Sequence, residues 1–119
     1  MIPTTDVRRW PPEELRRRLD ASEPLVVLDV REPEERLLSA IPLPPSVLDL
    51  HVPIGHVPER LDALREVVAG RPLVIYCHHG VRSLATARWL ADRGMADVVN
   101  LEGGIDAWST AVDPGVPRY

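Results

Sequence analysis

The chain has no lysine, no glutamine and no phenylalanine, and among its 119 residues there is one asparagine, Asn100, and one cysteine, Cys77. A lone cysteine excludes an internal disulfide and fits a reducing compartment, so a cytoplasmic location is expected. No apolar run approaches the roughly 20 residues of a membrane span. The net charge of −4 and the pI near 5.5 argue against a general affinity for nucleic acid or for acidic membranes. Met1 to Asp6 has neither a basic start nor an apolar centre, so no secretory signal is expected. The 14 basic side chains are all arginine, and prolines number 13. Scarce amides and abundant proline read as heat adaptation, the absence of lysine reads against it, and a GC-biased genome explains the pattern equally well.

What the chain does contain is organised around Leu73-Val74-Ile75-Tyr76-Cys77-His78-His79-Gly80-Val81-Arg82-Ser83. An apolar run ends at the cysteine and opens into a glycine-containing turn. From Ser83 to Ala91, Leu84, Ala87 and Ala91 recur on one face with Leu90 widening it, which predicts a helix. Cys77 therefore belongs at a strand-to-helix junction, where the first N–H groups have no partner inside the helix and the dipole is positive. N–H groups curling around one point, with Arg82 as a fixed positive charge, add to this. Such surroundings stabilise a thiolate, and Cys77 is the candidate nucleophile.

The remaining chain supplies a frame for that site. A length of 119 residues suits one domain, able to bury roughly two-thirds of its unfolded surface. Val7 to Trp10 reads as a short edge strand. Trp10 to Leu19 reads as a helix, with prolines and acids at its head and arginines toward its tail; Arg16 to Arg18 read as its solvated face rather than a nucleic-acid patch. Pro24 to Glu32 is an apolar run closed by charges, the pattern of a parallel strand buried on both faces. From Pro33 to Pro58 prolines limit regular structure to a helical turn at Glu34 to Leu38 and a short strand at Ser46 to Leu50. A helix is predicted over Pro58 to Val68, with Gly70 ending it, and a strand over Ala96 to Leu101. Gly103-Gly104 turns into a last helix whose Ile105 and Trp108 pack inward, and residues 111–119 read as a tail. Alternating strands and helices imply a parallel sheet covered on both faces, and no internal repeat or second domain is expected. Ligand sites of such sheets lie beyond the carboxyl ends of the strands, which puts Asp29 and Arg31 on the same edge as Cys77. They form a candidate supporting pair, read first as a buried ion pair tying the loop to the sheet.

Three stretches, in this order and spacing, resemble a single-domain rhodanese, a sulfurtransferase. They are Leu28-Asp29-Val30-Arg31-Glu32 followed by Glu35, then Val74 to Ser83, then Leu101-Glu102-Gly103-Gly104-Ile105-Asp106-Ala107-Trp108. The resemblance covers nearly the whole chain. It implies a three-layer α/β/α fold with a central, mostly parallel five-stranded sheet. It also implies that Cys77 takes a sulfane sulfur from a small anionic donor such as thiosulfate, holds it as a persulfide and passes it to a thiol, cyanide or protein acceptor. On the same grounds His78, His79, Gly80, Val81 and Ser83 cradle the sulfur, Arg82 binds the anionic donor, and no cofactor is required.

Loop length separates this chemistry from a related one. Protein tyrosine phosphatases wrap a phosphate with a cysteine-to-arginine loop one residue longer. Here only His78, His79, Gly80 and Val81 intervene, a ring better matched to a sulfur atom, so phosphatase and arsenate-reductase readings rank below sulfur transfer. Cys77, His78 and His79 are also metal-ligand types, but contiguous residues in a tight turn rarely converge on one ion. No metal is expected. The histidines are read as shaping the mouth of the pocket.

The departure from the family pattern lies in the middle of the chain. Many relatives carry a Gly-His-Ile-Pro-Gly-Ala turn where this chain has Ser39-Ala40-Ile41-Pro42-Leu43-Pro44, so segment 39–58 is expected to be remodelled and to alter the rim. The competing class of function is a non-catalytic or carrier module that docks a partner of sulfur metabolism. The intact cysteine and arginine favour an enzyme.

Overall fold

The computed structural model describes residues 7–119. Strand β1 is Arg8–Trp10, helix α1 Pro12–Asp20, β2 Val26–Asp29, α2 Pro33–Leu38, β3 Leu48–His51, α3 Leu61–Val68, β4 Leu73–Tyr76, α4 Val81–Asp92, β5 Val98–Leu101 and α5 Gly104–Ala111. The strands form one five-stranded sheet in the order β1-β5-β4-β2-β3, and every pairing is parallel.

Alternation along the strands divides the core into two layers. Val27, Val74, Tyr76 and Leu101 pack with Leu15 and Leu19 of α1 and with Ile105 and Trp108 of α5. Val26, Leu28, Ile75 and Cys77 face the opposite way, onto Leu64 and Val68 of α3 and Ala87 and Leu90 of α4. Period-two side-chain direction makes neighbours such as Tyr76 and Cys77 serve different layers. Burying each leucine-sized side chain contributes roughly 1.5–3 kcal/mol, so the two layers carry the fold without a covalent cross-link.

Several boundaries differ from the sequence expectation for identifiable reasons. The strand expected over Ser46 to Leu50 starts at Leu48, because the Val47 N–H is taken by the Pro44 carbonyl at 3.0 Å, a turn that precedes the ladder. The helix expected from Pro58 begins as a single 3-10 turn, Pro58–Arg60, before α3. That helix closes with Ala69 already left-handed at φ 48°, one residue before Gly70. Helix α4 starts at Val81, two residues earlier than its apolar face indicates, because Gly80 takes φ +96° and turns the chain directly into the helix. The segment expected as a tail packs back on the domain, with Val116 buried in the α1/α5 layer.

Candidate active site

Cys77 follows the last residue of β4, and the strand beside it, β2, ends at Asp29, which is in register with Tyr76. The turn Cys77 to Gly80 and the first turn of α4 wrap the sulfur. Its Sγ accepts from the N–H of Gly80 at 3.1 Å and of Ser83 at 3.4 Å, and the thiol donates to Ser83 Oγ at 3.3 Å. Cys77 is only 1% exposed, so the sulfur lies at the bottom of the loop rather than on its surface.

The loop N–H groups face inward because the loop carbonyls are held from outside. The N–H groups of Ile105 and Asp106, in the first turn of α5, donate to the Cys77 and His78 carbonyls at 2.9 and 3.1 Å. Asn100 Nδ2 donates to the Gly80 carbonyl at 3.3 Å. With those oxygens engaged, the donors of the turn are left to the sulfur and to whatever binds beside it. Close approach of α5 requires Gly104, since a Cβ there would fall on the Cys77 and His78 carbonyl oxygens. Ser83 is fixed in turn by Asn100, whose Oδ1 accepts from the Ser83 hydroxyl at 2.5 Å while its Nδ2 also reaches Glu102 at 2.6 Å.

Around the mouth, charge is closely matched. Arg82 presents both terminal nitrogens to Glu35 of α2, at 2.7 and 2.8 Å. This pairing lowers the Glu35 carboxyl to about 2 and holds the Arg82 guanidinium above its usual range. Asp29 and Arg31, both fully buried, form a bidentate pair at 2.9 and 2.8 Å, and Arg31 also donates to the Ser39 carbonyl at 2.8 Å. Burial opposes the charge on each of these two side chains, yet their mutual hydrogen bonds leave Asp29 below and Arg31 above the ordinary value.

The imidazole of His78 lies between two rings, His79 at 3.8 Å and Tyr119 at 3.9 Å. Its Nε2 is buried without a hydrogen-bond partner among the described residues, and desolvation followed by the neighbouring His79 lowers its pKa. Asp106 brings a carboxylate to this pair, and ligand atoms of His78, His79 and Asp106 lie within 4.8 Å of one another. Both Asp106 oxygens are held by Arg118, at 2.9 and 3.3 Å.

The candidate residues therefore fall into three groups. Cys77, Gly80 and Ser83 converge on one point. His78, His79 and Arg82 follow on the loop and the first turn of α4 and are at least partly exposed, and Asp29 with Arg31 are fully buried at the end of β2. Val81 is 76% exposed. Four residues of the site were not among the candidates: Glu35, Asn100, Gly104 and Tyr119. Asn100 had a readable signal, as the one amide in an otherwise apolar strand run beside that of Cys77. Tyr119 had none, because only the folded tail brings it to the mouth.

A parallel α/β domain whose single cysteine closes a central strand, with its carbonyls pinned by a neighbouring helix, defines the class of protein. The chain belongs to the rhodanese-like domain family, whose profile matches residues 11–111. It is 33% identical over 107 residues to the "Thiosulfate sulfurtransferase GlpE" of Pseudomonas syringae, covering 89% of this chain and 91% of that one. It is 32% identical over 100 residues to the "Putative sulfurtransferase YtwF" of Bacillus subtilis, covering 84% and 88%. Among solved structures it is similar to a rhodanese-like domain protein from Staphylococcus aureus, with a TM-score of 0.75, 29% identity, and coverage of 95% and 99%. No helix among the described residues is long and apolar enough to cross a membrane.

Proposed function

We propose that this protein is a sulfurtransferase that moves a sulfane sulfur through a persulfide on Cys77. The observation that carries this reading is the convergence of the Gly80 and Ser83 N–H groups on Cys77 Sγ. In the first half-reaction the Cys77 thiolate attacks the outer sulfur of thiosulfate. A bond forms between Sγ and that sulfur, the sulfur–sulfur bond of the donor breaks, and sulfite leaves with the electron pair. In the second, a thiolate or cyanide attacks the outer sulfur of the persulfide, and Cys77 departs as the thiolate.

The loop supplies what these steps need. Negative charge passes between sulfur atoms, and fixed N–H donors stabilise it wherever it rests without reorganising. Arg82 lies on the first turn of α4, five residues after Cys77, and it contributes a positive charge that Glu35 partly offsets. We assign it to orienting the anionic donor at the rim. Asp29 and Arg31 keep the adjacent β2 edge rigid. His79 and Val81, farther out, are assigned to acceptor contact. The similarity to the relative named as a thiosulfate sulfurtransferase supports thiosulfate as the donor to test first. A double-displacement pattern in steady-state kinetics with thiosulfate and cyanide, lost in Cys77→Ser, is the expected result; a sequential pattern, or activity retained by that variant, overturns the reading.

A further inference from the structure

The segment after α5 packs back on the domain. The Val116 carbonyl accepts the Ser109 hydroxyl at 2.6 Å, its side chain is buried, and Arg118 grips Asp106 through two hydrogen bonds. These anchors deliver Tyr119 to the mouth of the Cys77 loop. There its hydroxyl donates to Glu35 at 3.0 Å and accepts from Arg31 at 3.0 Å. Its ring stacks on His78 at an interplanar angle of 13°.

Those contacts lie on two banks at the carboxyl edge of the sheet. Arg31 and Glu35 belong to the bank beyond β2, whereas His78 belongs to the bank beyond β4, and the two strands are hydrogen-bonded neighbours. Tyr119 therefore bridges the two banks, with its hydroxyl on Arg31 and Glu35 and its ring on His78, the neighbour of Cys77 in the chain. The ring is the bulky part of that bridge, and Cys77, next in the chain to the His78 on which the ring stacks, is almost wholly screened from solvent.

We infer that Tyr119 is a specificity-determining residue, whose ring limits what reaches Cys77 to small sulfur donors and acceptors and refuses bulky ones. In its substrate aspect this rests on the sulfur-transfer reading above. The steric aspect stands by itself, because Cys77 is the only cysteine and any thiol reagent reports on it alone. One methylene more or less in a hydrophobic pocket changes discrimination by about 10–200-fold, which sets the scale for a whole ring.

The test compares wild type, Tyr119→Phe, Tyr119→Ala and Arg118→Ala in the full chain. Alkylation of Cys77 by iodoacetamide and by a fluorescein maleimide gives a large-to-small rate ratio that is independent of sulfur transfer. Tyr119→Ala is expected to raise that ratio about tenfold. Tyr119→Phe, which keeps the ring, is expected to leave it near the wild-type value. Arg118→Ala, which releases one anchor, is expected to move it in the direction of Tyr119→Ala. In parallel, kcat/KM for an aromatic thiosulfonate relative to thiosulfate is expected to rise in Tyr119→Ala. An unchanged alkylation ratio in Tyr119→Ala and Arg118→Ala overturns the inference, as does an equal shift in Phe and Ala, which assigns the effect to the hydroxyl. If wild type accepts sulfur from no donor, the sulfur-transfer reading fails while the alkylation ratio still decides the role of the ring.

Discussion

The Glu35 carboxylate accepts from both terminal nitrogens of Arg82 across 47 residues of chain, tying α2 to the first turn of α4. The guanidinium assigned to the donor anion is thus already matched by a carboxylate. Replacing Glu35 by Gln removes one negative charge from the mouth, and the KM for thiosulfate is expected to fall about two- to threefold at low ionic strength, as suits a partly screened charge. Initial-rate kinetics at two salt concentrations check this; a KM that does not move shows that Arg82 does not meet the donor.

The same pair gives a pH dependence of stability. Glu35 is lowered from an ordinary 4.5 to about 2, chiefly by its hydrogen bonds with Arg82. A depressed carboxyl stabilises the fold fully above the unfolded value and loses that contribution as pH falls through the folded one. Both side chains of the pair are partly exposed, so solvent screening holds its contribution to about 1 kcal/mol at neutral pH. Denaturant titrations of wild type and Glu35→Gln are expected to differ most at pH 7 and to converge between pH 4.5 and 2. A difference that stays constant across that window contradicts the assignment.

Gly104→Ala is expected to leave a folded protein with a displaced loop. The added Cβ falls on two loop carbonyls that are also acceptors for α5, so the loop shifts rather than the helix breaking. Misplacing a reactive group by about 1 Å costs on the order of a hundredfold in rate. Thiosulfate:cyanide activity is expected to drop by that order while far-ultraviolet circular dichroism is unchanged. Full activity in this variant removes the backbone contact from the account.

Asn100→Leu tests the buried network. It leaves the Ser83 hydroxyl and the Gly80 carbonyl without the partner they have in β5, and each unsatisfied buried group costs about 1–3 kcal/mol. A lower melting midpoint and a lower kcat are expected together, because Ser83 and Gly80 both supply N–H groups to the sulfur. A stability loss with unchanged kcat contradicts a positioning role for Asn100.

The strands were legible because Val26-Val27-Leu28 and Leu73-Val74-Ile75 are apolar runs bounded by proline and charge, and parallel pairing asks for little more. The nucleophile was legible because Cys77 is unique and precedes a glycine turn. The pairing of Arg82 with Glu35, and of Ser83 with Asn100, was not, since both depend on which strands become neighbours. The order β1-β5-β4-β2-β3 brings chain positions 17 and 47 residues apart into contact, and no local period encodes that order. In the sequence Tyr119 belongs to a tail because prolines and a glycine precede it; its place depends on the Arg118–Asp106 salt bridge and on the buried Val116.

The central claim is that Cys77 carries sulfur, and the mass of the protein tests it most directly. After incubation with thiosulfate and removal of excess donor, wild type is expected to gain about 32 Da, localised to the peptide bearing Cys77 and released by cyanide. Cys77→Ser is expected to gain nothing. Absence of that mass from wild type with thiosulfate and with every other sulfane donor would contradict the account.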